Sequence, residues 1–182
     1  PKGFEKDTFT FARVIFQTDP RQPGDVGFGG RLRRGWAVDF PDADLNFSHR
    51  LQQMTSLRVD SDGRALKLTS PELSDYPYIF MTHVERMALD EEEQGILRNY
   101  LRNGGALLVN DYWGVAAHQN LVREMRGVLP GRTWTELTMD HPIFHSVFDL
   151  RVPMQELRVP TIHRWNGDYV PGDASSNPTA GY

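Results

Sequence analysis

Three places in the sequence bring together residue types that can do chemistry. The first is 104-GGALLVNDYWG-114, where a glycine pair precedes a short apolar run that stops at Asn110-Asp111. In many α/β enzymes a nucleophile sits on the sharp turn after a buried strand. Such an elbow needs Ser, Cys or Asp at its tip and small residues around it, because the turn is tight. Asp111 stands where that tip would be, and a carboxylate can be a nucleophile or a base. Against this, Tyr112 and Trp113 are bulky and no G-x-S-x-G is present. An aspartate here can equally cap the helix that follows. The second place is 140-DHPIFHSVFD-149. On a helix, His141 and His145 would share one face, as a metal pair requires, and Pro142 is tolerated in a first turn. The glutamate of H-E-x-x-H is missing, and a third ligand would have to come from Asp111 or Asp140. A loop histidine pair is more often polar surface, so no metal is expected. The third is His83, just after the apolar run 78-YIFMT-82. A histidine there is more often satisfied than working, but ligands of open α/β sheets bind at the carboxyl edge. Asp111 would share that edge. His83, Asp111 and His141 are therefore the catalytic candidates.

These residues must be positioned by regular elements. Thr8–Gln17 (TFTFARVIFQ) reads as a strand, and a loop rich in Gly, Pro and Arg runs from Asp19 to Arg34. Within that loop, 27-GFGG-30 with Arg31, Arg33 and Arg34 matches neither phosphate-loop pattern, and reads as a basic loop able to meet an acidic partner. Asp42–Met54 follows Pro41 and reads as a helix with Leu45, Leu51 and Met54 on its apolar face. Leu57–Val59 and Leu66–Leu68 are short strand candidates around the turn at Asp60–Gly63. Tyr78–Thr82 is a compact strand. Asp90–Asn103 is the clearest helix, with Asp90 as cap, Glu93 completing a capping box and Gly104 at its end. Ala106–Val109 reads as a buried strand, Leu121–Val128 as a helix, and Trp134–Leu137 as one more strand. This alternation implies an α/β fold, a Rossmann-like and mostly parallel sheet with helices on both faces.

From about Arg151 the periodicity stops. The last 32 residues hold Pro153, Pro160, Pro171 and Pro178 and read as an extended C-terminal arm (151–182) beside an α/β domain (1–150). Such arms commonly bind partners. Trp165 and Tyr169 supply anchors, and Pro153, Pro160 and Pro171 stiffness, so these five residues join Arg31, Arg33 and Arg34 as partner-binding candidates. Trp36, Trp113 and Trp134 read as core or interface anchors.

Composition narrows the function classes. The 182-residue chain carries a net charge of −4 with no basic block, which argues against nucleic acid as a partner. Lysine occurs only at positions 2, 6 and 67, so arginine carries most of the positive charge. There is no cysteine, which removes disulfides, thiolate metal sites and thiol nucleophiles together. No apolar run approaches the roughly 20 residues of a membrane span. The chain begins at Pro1 with no Met, which implies removal of an initiator Met or of a longer leader.

Read in order, FTFARVIF, WAVDFPDADLNFSHRLQQMTSLRVD, PELSDYPYIFMT, LDEEEQGILRNYLRNGGALLVNDYWG and DHPIFHSVFDL resemble the bacterial domain-of-unknown-function family 4159 over about residues 8–150. The resemblance implies a fold similar to class I glutamine amidotransferases and an extracytoplasmic, envelope-associated location. It implies no established activity. True glutaminases use a cysteine at the elbow, activated by His and Glu, and Asp111-Tyr112 stands about where it would be. The expectation is therefore a non-catalytic accessory or scaffold subunit, without cofactor, that binds other proteins on the periplasmic face of a bacterial membrane complex. Respiratory or photosynthetic assemblies are one such setting. The alternative is an extracytoplasmic hydrolase or carbohydrate-binding protein using His83, Asp111 and His141.

Overall fold

The computed structural model describes residues 8–19, 35–112, 114–146 and 148–152, together with the backbone of 162–165 and 168–171. Strands β1 (Ala12–Ile15), β3 (Arg64–Lys67), β4 (Tyr78–Thr82) and β6 (Ala106–Asn110) form one sheet in the order β3-β1-β4-β6, and every pairing is parallel. Between them run helices α1 (Asp42–Met54) and α2 (Glu91–Arg102), and α3 (Gly114–Val128) follows β6. Two short strands, β2 (Gln17–Thr18) and β5 (Met87–Ala88), pair antiparallel beyond the carboxyl ends of β1 and β4.

Side chains alternate across a strand, so each strand feeds two layers. Ala12 and Val14 of β1 and Ile79 and Met81 of β4 are fully buried in one core with Leu97 and Tyr100 of α2 and Leu121 and Val128 of α3. Arg13 and Phe80 point to the other face, where α1 lies. The α/β class, the mostly parallel sheet and helices on both faces are as the alternation of the sequence implies.

The α1 face is built on a buried charge. Arg13 is 1% exposed and Asp44 2%. Arg13 Nε donates to both carboxylate oxygens of Asp44 at 3.0 Å, and Nη2 donates to Asp44 Oδ1. Arg13 Nη1 donates to the backbone carbonyls of Trp36 (2.9 Å) and Val38 (3.0 Å). The guanidinium also lies 5.1 Å from the Phe80 ring centroid and 5.8 Å from that of Phe40. Arginine suits this role because its planar fork reaches several acceptors at once and it cannot shed its charge.

This pair turns α1 over. The buried residues of the helix are Asp44 and Ser48, four apart, whereas Leu45 and Met54, expected on the core face, are exposed, Met54 at 52%. A buried arginine requires a carboxylate against it, and satisfying that charge outweighs hiding two apolar side chains.

Other elements follow the sequence closely or depart for local reasons. Helix α2 has the expected cap: Asp90 accepts from the Glu93 N–H and Glu93 accepts from the Asp90 N–H. The first strand is shorter than Thr8–Gln17, and Leu57–Val59 contributes only a bridge from Val59 to Phe9. Ala106–Val109 is not a fully buried strand: as the edge strand, β6 alternates between exposed and half-buried residues, Leu108 at 44%. Helix α3 begins two turns before Leu121, because Val115–Asn120 also turn helical and Asn120 finds buried partners. Trp134–Leu137 forms no strand; its two apolar residues are three apart and cannot share a face of period two. In the arm, the backbone of β7 (Ile162–Trp165) and β8 (Asp168–Pro171) pairs antiparallel. Arg31, Arg33, Arg34, Pro153 and Pro160 lie outside the described residues, as do the side chains of Trp165, Tyr169 and Pro171.

Removing one partner of the Arg13–Asp44 pair strands the other charge, and Arg13→Ala should cost about 3–5 kcal/mol in urea unfolding. The double variant R13L/D44L should recover most of that loss. A single variant that loses less than about 1 kcal/mol would show that water reaches Asp44 and that the charge is not buried in solution.

Candidate functional site

The chain leaves β1 toward β3 on one side and leaves β4 toward β6 on the other, so the sheet's direction of travel reverses between β1 and β4. Such switch points open a crevice at the carboxyl ends of the strands. His83 follows β4 directly and Asp111 follows β6 directly. Parallel pairing of β4 with β6 in register Thr82↔Asn110 brings the two side by side. The His83 N–H donates to the Asp111 carbonyl at 3.2 Å, one rung beyond the ladder.

Both residues have left-handed backbone, His83 at φ 51° and Asp111 at φ 52°. Non-glycine residues rarely adopt it, and the surroundings must enforce it. Left-handed turning ends each strand abruptly and swings its side chain toward the neighbouring strand end. His83 Nε2 lies 3.0 Å from Asp111 Oδ2. Its other ring nitrogen, Nδ1, lies 3.5 Å from Glu85 Oε1, an ion-pair distance.

Two neighbours hold the turn that carries His83 and Glu85. Asn120, buried on α3, donates its amide to the carbonyls of Val84 (2.9 Å) and Met87 (3.0 Å). On the other side Gly35 packs against the His83 carbonyl so closely that a Cβ there would stand 2.6 Å from the oxygen. Only glycine permits that approach. The carbonyls of Trp36 and Val38, just beyond Gly35, are the ones Arg13 holds. The site is thus tied to the sheet interior through one short segment.

The electrostatics are those of a held cation. Burial pulls the His83 pKa down, but the hydrogen bonds and charges of Asp111 and Glu85 outweigh it and raise it from 6.5 to about 9. Near neutrality the imidazole is protonated, with a carboxylate at each nitrogen. A general base needs a free nitrogen and a pKa near the working pH; His83 has a carboxylate beside each nitrogen and a pKa raised to about 9. The three cavities that stand out among the described residues lie elsewhere, and none is lined by His83 or Asp111.

Of the sequence candidates, His83 and Asp111 come together and His141 plays a different part. Its Nδ1 accepts from the Ile143 N–H at 3.3 Å, capping its own 3-10 turn, Pro142–His145. His145 faces Asp149 Oδ1 (2.7 Å) and the Met139 carbonyl (2.7 Å). A 3-10 turn of four residues does not set the two histidines on a helix face. Among the described residues no group of three His, Cys, Asp or Glu could hold a metal ion. Glu85, Asn120 and Gly35 were missed. The H-x-E spacing of His83 and Glu85 was legible; nothing local marks Gly35.

The chain belongs to the family described as Domain of unknown function (DUF4159), whose model matches residues 16–181. The match thus runs past residue 150 and through most of the arm. No curated protein matches the chain.

A raised histidine pKa stabilises the fold at pH values below the unfolded pKa of 6.5, and that stabilisation is lost as pH rises through about 9. Asp111 is 37% exposed, so solvent screens the pair. The difference in unfolding free energy between wild type and His83→Gln should be on the order of 1–2 kcal/mol at pH 6 and close to zero above pH 10, both order-of-magnitude figures. A difference that does not change between these pH values would rule out a folded-state imidazolium. Asn120→Ala leaves two carbonyls without their donor and should cost about 1–3 kcal/mol, read as a fall in urea midpoint.

Proposed function

We propose that this member of the family is a non-catalytic accessory or scaffold subunit that binds other proteins. The observation that carries the reading is His83: the best-placed side chain for acid–base chemistry has both nitrogens occupied by carboxylates and is charged at neutral pH. It serves as a fastener between two strand-end turns. With no cysteine in the chain, an amidotransferase-like sheet of this kind also lacks its thiol nucleophile.

Surface character favours protein contact. Trp134, Ile143 and Phe148 are each more than half exposed, in a segment of the chain with little regular structure. Large apolar side chains left in water are available to a protein partner. The setting we favour is the periplasmic face of a bacterial membrane complex, energy-transducing for example, as the envelope association implied by the family resemblance suggests. Among the described residues no helix is long and apolar enough to cross a membrane; in this reading the domain is held there by a partner.

A second reading retains one specific observation. Two left-handed, non-glycine residues meet at the carboxyl edge of the sheet, where β4 and β6 end, and such strain clusters at functional sites. That favours an extracytoplasmic hydrolase or carbohydrate-binding site at the carboxyl edge.

Affinity purification of the tagged full chain from native membranes separates the two. The scaffold reading expects co-isolation with defined partners at fixed stoichiometry, unchanged in Asp111→Asn and lost on deletion of 151–182. A full chain that isolates alone, or a truncated one that keeps its partners, counts against it. Hydrolysis of glycoside or ester substrates that disappears in Asp111→Asn would replace it with the second reading.

A further inference from the structure

The outer side of α3 carries a groove that the proposed accessory role leaves without a specific task. Val122, Met125 and Leu129 recur at helical spacing and floor a concavity of about 350 Å³. Met125 and Leu129 rest on the main core from below, so the floor is backed by packed structure. After the turn at Pro130-Gly131 the chain returns along the helix, and Trp134 forms one wall while 57% exposed. Arg126 and Arg132 stand at the rim. Neither guanidinium has an ion-pair partner among the described residues, although the chain as a whole carries a charge of −4.

An apolar floor, an aromatic wall and two guanidiniums without an ion pair among the described residues define the complementary shape. It is an apolar side chain, of the size of Phe or Leu, with a carboxylate close by in the same chain. Arginine forks hold carboxylates bidentately, and aromatic anchors with flanking charge are the usual way a small concave site binds a peptide. We propose that this groove docks an acidic segment of a partner protein, its apolar side chain seated between Met125, Leu129 and Trp134 and its carboxylates on Arg126 and Arg132. This rests on the reading of the domain as a protein-binding subunit. The concavity favours an inserted side chain over a membrane, which would want a protruding wedge.

The test is a positional-scanning peptide library presented to the full chain and to its R126E/R132E variant. The wild type should enrich sequences with Phe, Trp or Leu at one position and Asp or Glu within three residues of it, at least tenfold over the same sequences carrying Lys. The variant should reverse the flanking preference to Lys or Arg, an inversion that misfolding cannot produce. Trp134→Ala should lose the apolar preference. No enrichment, or enrichment that ignores the charge reversal, overturns the groove. In the latter case peptide binding elsewhere leaves the accessory-subunit reading standing, whereas a full chain that isolates from membranes without partners removes that reading itself. Sedimentation with phosphatidylglycerol vesicles that depends on Arg126 and Arg132, without peptide enrichment, would overturn the proposal in favour of a membrane surface.

Discussion

Arg13 constrains this domain more than any other residue. A guanidinium inside a parallel sheet cannot be neutralised and must be supplied with acceptors from every direction. Asp44 supplies two, and the carbonyls of Trp36 and Val38 supply the rest. These partners lie 23 to 31 residues away in sequence. One charge therefore sets the rotation of α1 and pins the segment before it to the sheet. That same segment presents Gly35 to the His83 carbonyl. The geometry at the carboxyl edge is thus downstream of a charge buried in the strand next to it.

The edge itself shows how position and chemistry can part company. Topology places His83 and Asp111 where an open α/β sheet would put a ligand or a catalytic pair. The chemistry of the pair points the other way. Each carboxylate that raises the His83 pKa also takes up a nitrogen that a base would need free. A working His–Asp pair leaves one nitrogen open toward a substrate; here Glu85 stands at that nitrogen. Left-handed backbone at both residues then serves to cross-link two turns. A likeness of fold speaks to the sheet and not to a reaction.

The sequence was most legible where local rules act alone. Helix α2 announced itself through its capping box and helical spacing, and β4 through a compact apolar run between turns. Helix α1 was found at its full length but with the wrong face inward, because periodicity counts apolar residues and does not see a charge waiting in the sheet. The clue was present: Arg13 interrupts FARVIF at a position where a core-facing residue belongs. The pairing of His83 with Asp111 was anticipated as a shared edge, since strand ends in a parallel sheet align. Gly35 and Asn120 were not, because their roles are contacts with carbonyls far off in sequence. His141 and His145 share no helix face because Pro142 starts a 3-10 turn in place of a helix.

Helix α1 also separates two kinds of selection. The fold depends on Asp44 and Ser48, which face inward, and buries neither Leu45 nor Met54, both at least 39% exposed. Across relatives of this chain, drift to polar residues at those two positions is what folding alone permits. Persistence of apolar character there, in step with an unchanging Asp44, would be the imprint of a neighbour that each lineage has kept against this helix. The sequence record of the family can thus register a contact that no single chain displays.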